Sequence, residues 1–299
     1  MTNTRILSFD GGGVRGAISL AFLCALEKET GISLSKRADV LAGTSTGSII
    51  AGALSIGLSP EDILNFYSSL SSEIFKKKEG FDELLKLKSQ YSSSTLYQAL
   101  SEVIDPSIRL NQLSQTVVVP TINLDASNQR WRMQILTNSL DLPLIDAIME
   151  STAAPTYFPS YHDHVDGGMA ANDPSAVAYA VSGGASALLS IGTGYTPYEI
   201  SKGEDWGALS WIVDLNPRST ANHTPLLTLL FDVQDQLSGQ LCQLLLKENY
   251  YRLNLELAEA VSLDDTSKIS QLIQETETYI KNNPKLWDAA CDWAKKSFS

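Results

Sequence analysis

The spacing of apolar and polar positions divides the chain into two stretches. In the first, short apolar runs alternate with helical periodicity; in the second, helical periodicity dominates. Arg5-Ile6-Leu7-Ser8-Phe9 is an apolar run that stops at Asp10-Gly11-Gly12-Gly13, as a buried strand stops at a turn. Ile18, Ala21, Phe22, Ala25 and Leu26 recur at three- and four-residue steps and predict a helix over 17–30 closed by Gly31. Asp39-Val40-Leu41-Ala42 predicts a second strand, Gly43 to Gly47 a turn, and Ser48 to Gly57 a helix of small residues able to lie close on a sheet. Ser59-Pro60-Glu61-Asp62 is a helix start with Pro at its first position, and the chain from there to Asp105 reads as helical and polar. Strands follow from Val117 to about Leu124, over Arg130 to Leu136, and over Ala187 to Gly194, with a short helix from Pro143 to Glu150. Beyond Asp205 three helices are predicted, from Pro225 to about Leu246, Thr266 to Lys281 and Pro284 to Lys296, with one extended run from Tyr250 to Leu257.

Strands alternating with helices through short turns predict an α/β fold, a mostly parallel central sheet flanked by helices, with a helical C-terminal section. The absence of an internal repeat or low-complexity linker predicts a single unit over 1–299, its core in 5–200 and its helical part in 205–299.

Composition narrows the function. The net charge is −12, from 22 basic and 34 acidic side chains, and it is uneven: residues 1–150 carry 13 basic and 16 acidic groups, residues 151–299 carry 9 and 18. Nucleic-acid binders need clustered Lys and Arg, so this balance argues against one, and equally against lasting adhesion to an anionic bilayer. The dense basic cluster is Lys76-Lys77-Lys78 with Lys86 and Lys88, read as a solvated helical face or as a lid that meets lipid headgroups. Cys24, Cys242 and Cys291 are widely spaced and odd in number, which suits a reducing compartment and offers neither a disulfide framework nor a zinc cluster. Met1 to Asp10 has no apolar stretch of signal-peptide length and no run of about 18 apolar residues occurs, so the expected location is cytoplasmic, or a host reached by a signal-peptide-independent route, and not an integral membrane position.

Chemistry concentrates in glycine-flanked turns. Gly43-Thr44-Ser45-Thr46-Gly47 is a G-x-S-x-G sequence between a predicted strand and a predicted helix, the setting in which a serine hydroxyl stands exposed above a sheet on a sharp elbow. Asp10 to Gly16 satisfies G-x-G-x-x-G through Gly11, Gly13 and Gly16, and two readings compete for it. One is a nucleotide- or phosphate-binding module holding phosphate on a helix N-terminus, without hydrolysis; the other is an oxyanion hole built of bare glycine amides. A serine elbow on the next strand favours acyl transfer. Asp166-Gly167-Gly168 offers an aspartate with room to approach another backbone. His162, His164 and Asp166 fall on one face of a strand, but no clear further ligand accompanies them, so neither a metal nor any cofactor is expected; the bland reading is an exposed hairpin feeding Asp166. The leucine-rich stretch over 226–245 reads as a core helix, with a dimer face as the alternative.

Asp10-Gly-Gly-Gly-Val-Arg-Gly16, Gly43-Thr-Ser-Thr-Gly47 and Asp166-Gly-Gly168 stand in this order, with Ala153-Ala-Pro-Thr-Tyr-Phe-Pro159 before the aspartate and Leu189-Ser-Ile-Gly-Thr-Gly194 after it. Over about residues 5–200 the combination resembles the patatin-like phospholipases. The resemblance implies a three-layer α/β/α fold and a serine lipid acyl hydrolase of phospholipase A or lysophospholipase type. It implies Ser45 as nucleophile, Asp166 as general base, and Gly11, Gly12, Gly13 and the Val14 amide as oxyanion hole. Arg15 would steady the glycine turn or meet substrate phosphate, with Gly43, Gly47 and Gly167 in support. It also implies a phospholipid or lysophospholipid substrate met in transient membrane contact, and a protein partner or second messenger as activator; a homodimer is the separate alternative offered by the leucine-rich helix.

Overall fold

A computed structural model describes residues 3–76, 89–125, 127, 130–197, 207–212 and 225–299. Among the described residues seven strands form one sheet: β1 (Arg5–Phe9), β2 (Val40–Gly43), β3 (Thr116–Asn123), β4 (Arg132–Thr137), β5 (His164–Asp166), β6 (Ala187–Ile191) and β7 (Tyr250–Leu253). Their order is β4-β3-β2-β1-β6-β7, with β5 pairing β3. The four pairings at the centre and toward β7 are parallel, whereas β3 meets both β4 and β5 antiparallel. The expected α/β sheet is therefore present, and the run after Tyr250 supplies its outermost strand on one side.

Parallel pairing explains the near-continuous apolar runs, because helices cover both faces of such strands. On one face Leu7, Phe9, Leu41 and Leu189 pack against helices α1 (Gly16–Thr30), α2 (Thr46–Ser55), α3 (Pro60–Ile74), α4 (Ser93–Ser101) and α5 (Leu144–Thr152). On the other, Ile6, Val40, Ala42, Val118 and Leu188 pack against α6 (Ser175–Val181) and α7 (Pro225–Leu246). The last helices, α8 (Ile269–Asn282) and α9 (Pro284–Ser297), return to α1, where Phe22 meets Tyr279 edge-on and Trp287 stacked.

Local signals place the helix ends as expected. Gly31 closes α1 in the left-handed conformation at φ 68°, its N–H donating to Glu27 O. Ser59 and Asp62 cap α3 reciprocally, the Ser59 hydroxyl donating to Asp62 Oδ2 at 2.7 Å and the Asp62 N–H donating to Ser59 Oγ at 3.1 Å. The turns after β1, β2 and β6 all lie at the carboxyl ends of neighbouring parallel strands, the edge where α/β sheets present their ligand sites.

Candidate active site

The register Phe9↔Gly43 brings the glycine turn after β1 beside the elbow after β2. Ser45 sits on that elbow at φ 51° and ψ −122°, a backbone state that costs an L-residue on the order of 1–3 kcal/mol and persists only where its surroundings enforce it. The enforcement is visible. The Ser45 N–H donates to Ser151 Oγ at 3.0 Å, and the Ser151 hydroxyl donates to Pro120 O at 2.7 Å. Thr44 ties the turn to Phe9 O through its N–H and to Ala171 O through its hydroxyl. A Cβ on Gly43 would lie 2.0 Å from Gly47 O, and one on Gly47 would lie 2.1 Å from Phe9 O, so the flanking glycines admit the bend.

Asp166 reaches Ser45 through the sheet. Strand β5 runs antiparallel to β3 with Thr121↔Asp166 in register, and the Asp166 N–H donates to Ala153 O at 3.1 Å. Ser45 and Asp166 line the same pocket, the Ser45 hydroxyl near enough to lower the pKa of the Asp166 carboxyl, and the Gly168 N–H donates to Asp166 Oδ1 at 2.7 Å. Gly167 lets this corner press on β3, a Cβ there falling 2.2 Å from Pro120 O. Burial raises the Asp166 carboxyl to about 6, while the nearby Ser45 hydroxyl and the Gly168 amide pull it down. The result is a carboxylate more basic than an exposed aspartate.

The glycine turn spends two of the four amides expected at an oxyanion. The Gly11 N–H donates to Asn172 O at 3.0 Å and the Val14 N–H to Leu263 O at 2.9 Å, so these two amides are corrected out of the set. Gly12 and Gly13 line the pocket around Ser45, and no acceptor among the described residues takes their amides. Arg15 braces the turn from outside, its Nε donating to Gly12 O and its Nη1 to Gly194 O, each at 3.4 Å. Of its two expected roles, steadying the turn is the one in place. These committed groups also leave little of the turn for the phosphate-binding alternative.

Several positioning groups were not singled out from the sequence. Asn172 donates through Nδ2 to Gly11 O at 3.3 Å and to Asp235 Oδ1 at 2.9 Å, while Thr193 donates to Gly11 O at 2.8 Å. Arg252 on β7 grips Asp10 with both terminal nitrogens, at 2.7 and 2.5 Å, donates to Ser190 Oγ at 2.5 Å, and lies 3.3 Å from Asp173 Oδ2. The register Ser8↔Ser190↔Arg252 makes this a polar row across three strands on the α6–α7 face. Burial raises Asp10 to about 7 against the pull of Arg252, and raises Asp235 well above the carboxylate range, with Asp10 adding to the effect. A lone arginine inside an apolar strand was the signal available in the sequence.

Above Ser45 opens a narrow, mostly apolar pocket. Ile49, Phe66, Phe75, Phe158, Phe231 and Leu263 wall it, and Gly12, Gly13, Ser45, Asp166 and Asn172 form its polar floor. His162 and His164 stand elsewhere. Tyr161 to His164 does form a hairpin, with His162 and Asp163 at φ 46° and 58°, but His164 is buried rather than exposed. Its Nδ1 hydrogen bonds His162 O at 2.6 Å and its Nε2 faces Asn123 Nδ2 at 3.1 Å, away from the pocket lining. Among the described residues no group of His, Cys, Asp and Glu is placed to hold a metal ion. Lys76 is exposed at the end of the chain segment that follows α3; Lys77, Lys78, Lys86 and Lys88 lie outside the described residues.

The profile of the patatin-like phospholipase family matches residues 7–179, more than half of the chain and all of the floor just described except the β6–β7 side. The chain belongs to the patatin-like phospholipases. Among its patatin-like relatives, protein teg of Priestia megaterium is 29% identical over 91% of this chain and 94% of its own length. Patatin-like protein 1 of Arabidopsis thaliana is 32% identical over 70% of this chain and 64% of its own length. A cGAMP-activated phospholipase of Escherichia coli is 30% identical, and the patatin-like chain spans only 53% of it. Among solved structures, VipD from Legionella pneumophila is similar at a TM-score of 0.40 and 10% identity, covering 92% of this chain and 67% of that one. Among the described residues of this patatin-like protein, no helix is long and apolar enough to cross a membrane.

Proposed function

We propose that this patatin-like protein hydrolyses fatty-acyl esters of phospholipids or lysophospholipids with Ser45 as nucleophile and Asp166 as its base. The observation that carries the reading is the strained Ser45 and the buried Asp166 together in the floor of one apolar pocket suited to an acyl chain. Residues 1–299 act as one unit in this reading, because β7 and Arg252 from the C-terminal section complete the sheet and brace the glycine turn.

Asp166 takes the Ser45 Oγ proton as Oγ attacks the ester carbonyl carbon. The negative charge that develops on the carbonyl oxygen meets the amides of Gly12 and Gly13, which line the pocket beside Ser45. The N-terminus of α2 adds its partial positive charge. Collapse of the tetrahedral intermediate returns the proton to the departing alkoxide, giving a lysolipid or glycerol alcohol and an acyl-Ser45. Water deprotonated by Asp166 then releases the fatty acid and restores Ser45.

Mass spectrometry of products from defined phospholipids, for the native protein and Ser45→Ala, tests the reading. The native protein should release fatty acid and the variant should lose at least about 1,000-fold of that rate while folding normally. The assay is run with and without cGAMP, because one relative is named for activation by it. Retained hydrolysis in the folded variant refutes the nucleophile; absence of fatty-acid release by the native protein under both conditions refutes the activity.

A further inference from the structure

Helix α7 is apolar on two opposite faces. Phe231, Ser238, Cys242 and Leu246 are buried on the inner face: Cys242 and Leu246 pack against the sheet, Ser238 Oγ accepts from the Ala176 N–H, and Phe231 lines the pocket. On the far side Leu226, Leu230, Val233, Leu237, Leu241 and Leu244 recur at steps of three and four and remain 37–74% exposed. Leu229 and Leu245, also exposed, widen the stripe. Together they present on the order of 700 Å2, above the few hundred Å2 that monomeric proteins ordinarily leave in one apolar patch.

We infer that this stripe is the docking surface for a second copy of the same chain, forming a two-fold dimer through paired α7 helices. Two observations select a second copy over a bilayer. First, the area: a standard interface takes about 800 Å2 from each partner, which the stripe alone nearly supplies. Second, the charge: residues 225–246 contain no Lys, Arg or Trp, the residues that hold a helix on a lipid surface, while Gln234, Gln236, Gln240 and Gln243 flank the stripe.

The contact would bear on the active site. The buried face of the same helix supplies Phe231 to the acyl pocket and Asp235 to Asn172, which in turn holds Gly11 O. Pairing of the outer faces steadies the helix that carries both, so specific hydrolytic activity should rise with protein concentration; this consequence rests on the function proposed above, whereas the dimer does not.

Sedimentation of the full chain from about 1 to 100 µM tests the dimer by mass action. The native protein should reach twice its 32.5 kDa mass within that range, and Leu237→Glu with Leu244→Glu should remain at 32.5 kDa with unchanged circular dichroism and melting temperature. A second variant, Leu237→Gln with Leu244→Gln, weakens the dimer at least ten-fold without adding charge. A native monomer at 100 µM, or a dimer indifferent to both variants, overturns the proposal. Flotation with phosphatidylcholine vesicles is the companion measurement: a native monomer that floats, and variants that do not, would assign the face to lipid instead. None of these readouts requires hydrolysis, so failure of the dimer and failure of the proposed reaction are separable.

Discussion

Replacing Arg252 by Met removes the cation that contacts Asp10 and Asp173 and faces Asp235. Asp10 and Asp173 are fully buried, and Arg252 is their shared partner, with its guanidinium also facing Asp235. Breaking a buried pair by deleting one member typically costs 3–5 kcal/mol, because the remaining charge is left without compensation. The Arg252 side chain keeps 21% of its exposure, so water relieves part of that penalty and about 3 kcal/mol is the expected loss at pH 7.5. Against a total stability of 5–15 kcal/mol this is a large fraction, readable as a shift in urea midpoint at constant slope. The pH dependence identifies the cause. Asp10 already titrates at about 7 in the folded protein, above its ordinary 3.8, and loses its largest downward influence when Arg252 goes. A group whose folded value is raised stabilises the fold fully below its unfolded value and loses that contribution as pH rises through the folded one. The deficit of Arg252→Met should therefore be greatest above pH 7 and shrink toward pH 5 as Asp10 takes its proton. Adding Asp10→Asn to the variant should recover more than 1 kcal/mol at pH 7.5. A loss under 1 kcal/mol, or equal losses at pH 7.5 and 5, would refute the account.

The same logic reaches the candidate base. Hydrolysis should fall on an acid limb near pH 6, where Asp166 gains its proton, and not near 3.8; a pH–rate profile of kcat/KM decides between them. Asp166→Asn should lose at least about 1,000-fold in kcat yet keep or raise the melting temperature at pH 8, since holding a buried carboxylate ionised works against folding by about 1.4 kcal/mol for each unit its pKa is raised. A melting temperature several degrees lower would show instead that the charge is needed for the fold. Gly47→Ala drives a Cβ to 2.1 Å from Phe9 O, within the sheet, and should cost more than 3 kcal/mol or abolish folding. Gly31→Ala meets nothing within 4 Å and should cost only about 1 kcal/mol for its left-handed backbone, so equal losses in chemical denaturation would contradict the packing argument.

The sequence by itself determined what short-range physics determines. Strand-to-turn transitions at Asp10 and Gly43 are written in an apolar run followed by glycine, and the observed strands Arg5–Phe9 and Val40–Gly43 lie where the pattern predicts. The caps at Ser59 and Gly31, and the Ser45 elbow between two glycines, follow from neighbours within a few residues. The family resemblance rested on such local phrases, and the family match over 7–179 agrees with it. Tertiary structure decided the rest, because the deciding contacts join residues with no local relation. Asp10 and Arg252 are 242 positions apart, and only the register β1-β6-β7 makes them partners. Whether a glycine amide is free for an anion depends on where Asn172 and Leu263 place their carbonyls, which removed Gly11 and Val14 from the expected set. His164 reads from composition as an exposed hairpin residue, but pairing with Asn123 carries it into the interior. Helix α7 shows both limits at once: its leucines announce burial, and only the sheet's position decides which of them it covers and which it leaves facing out.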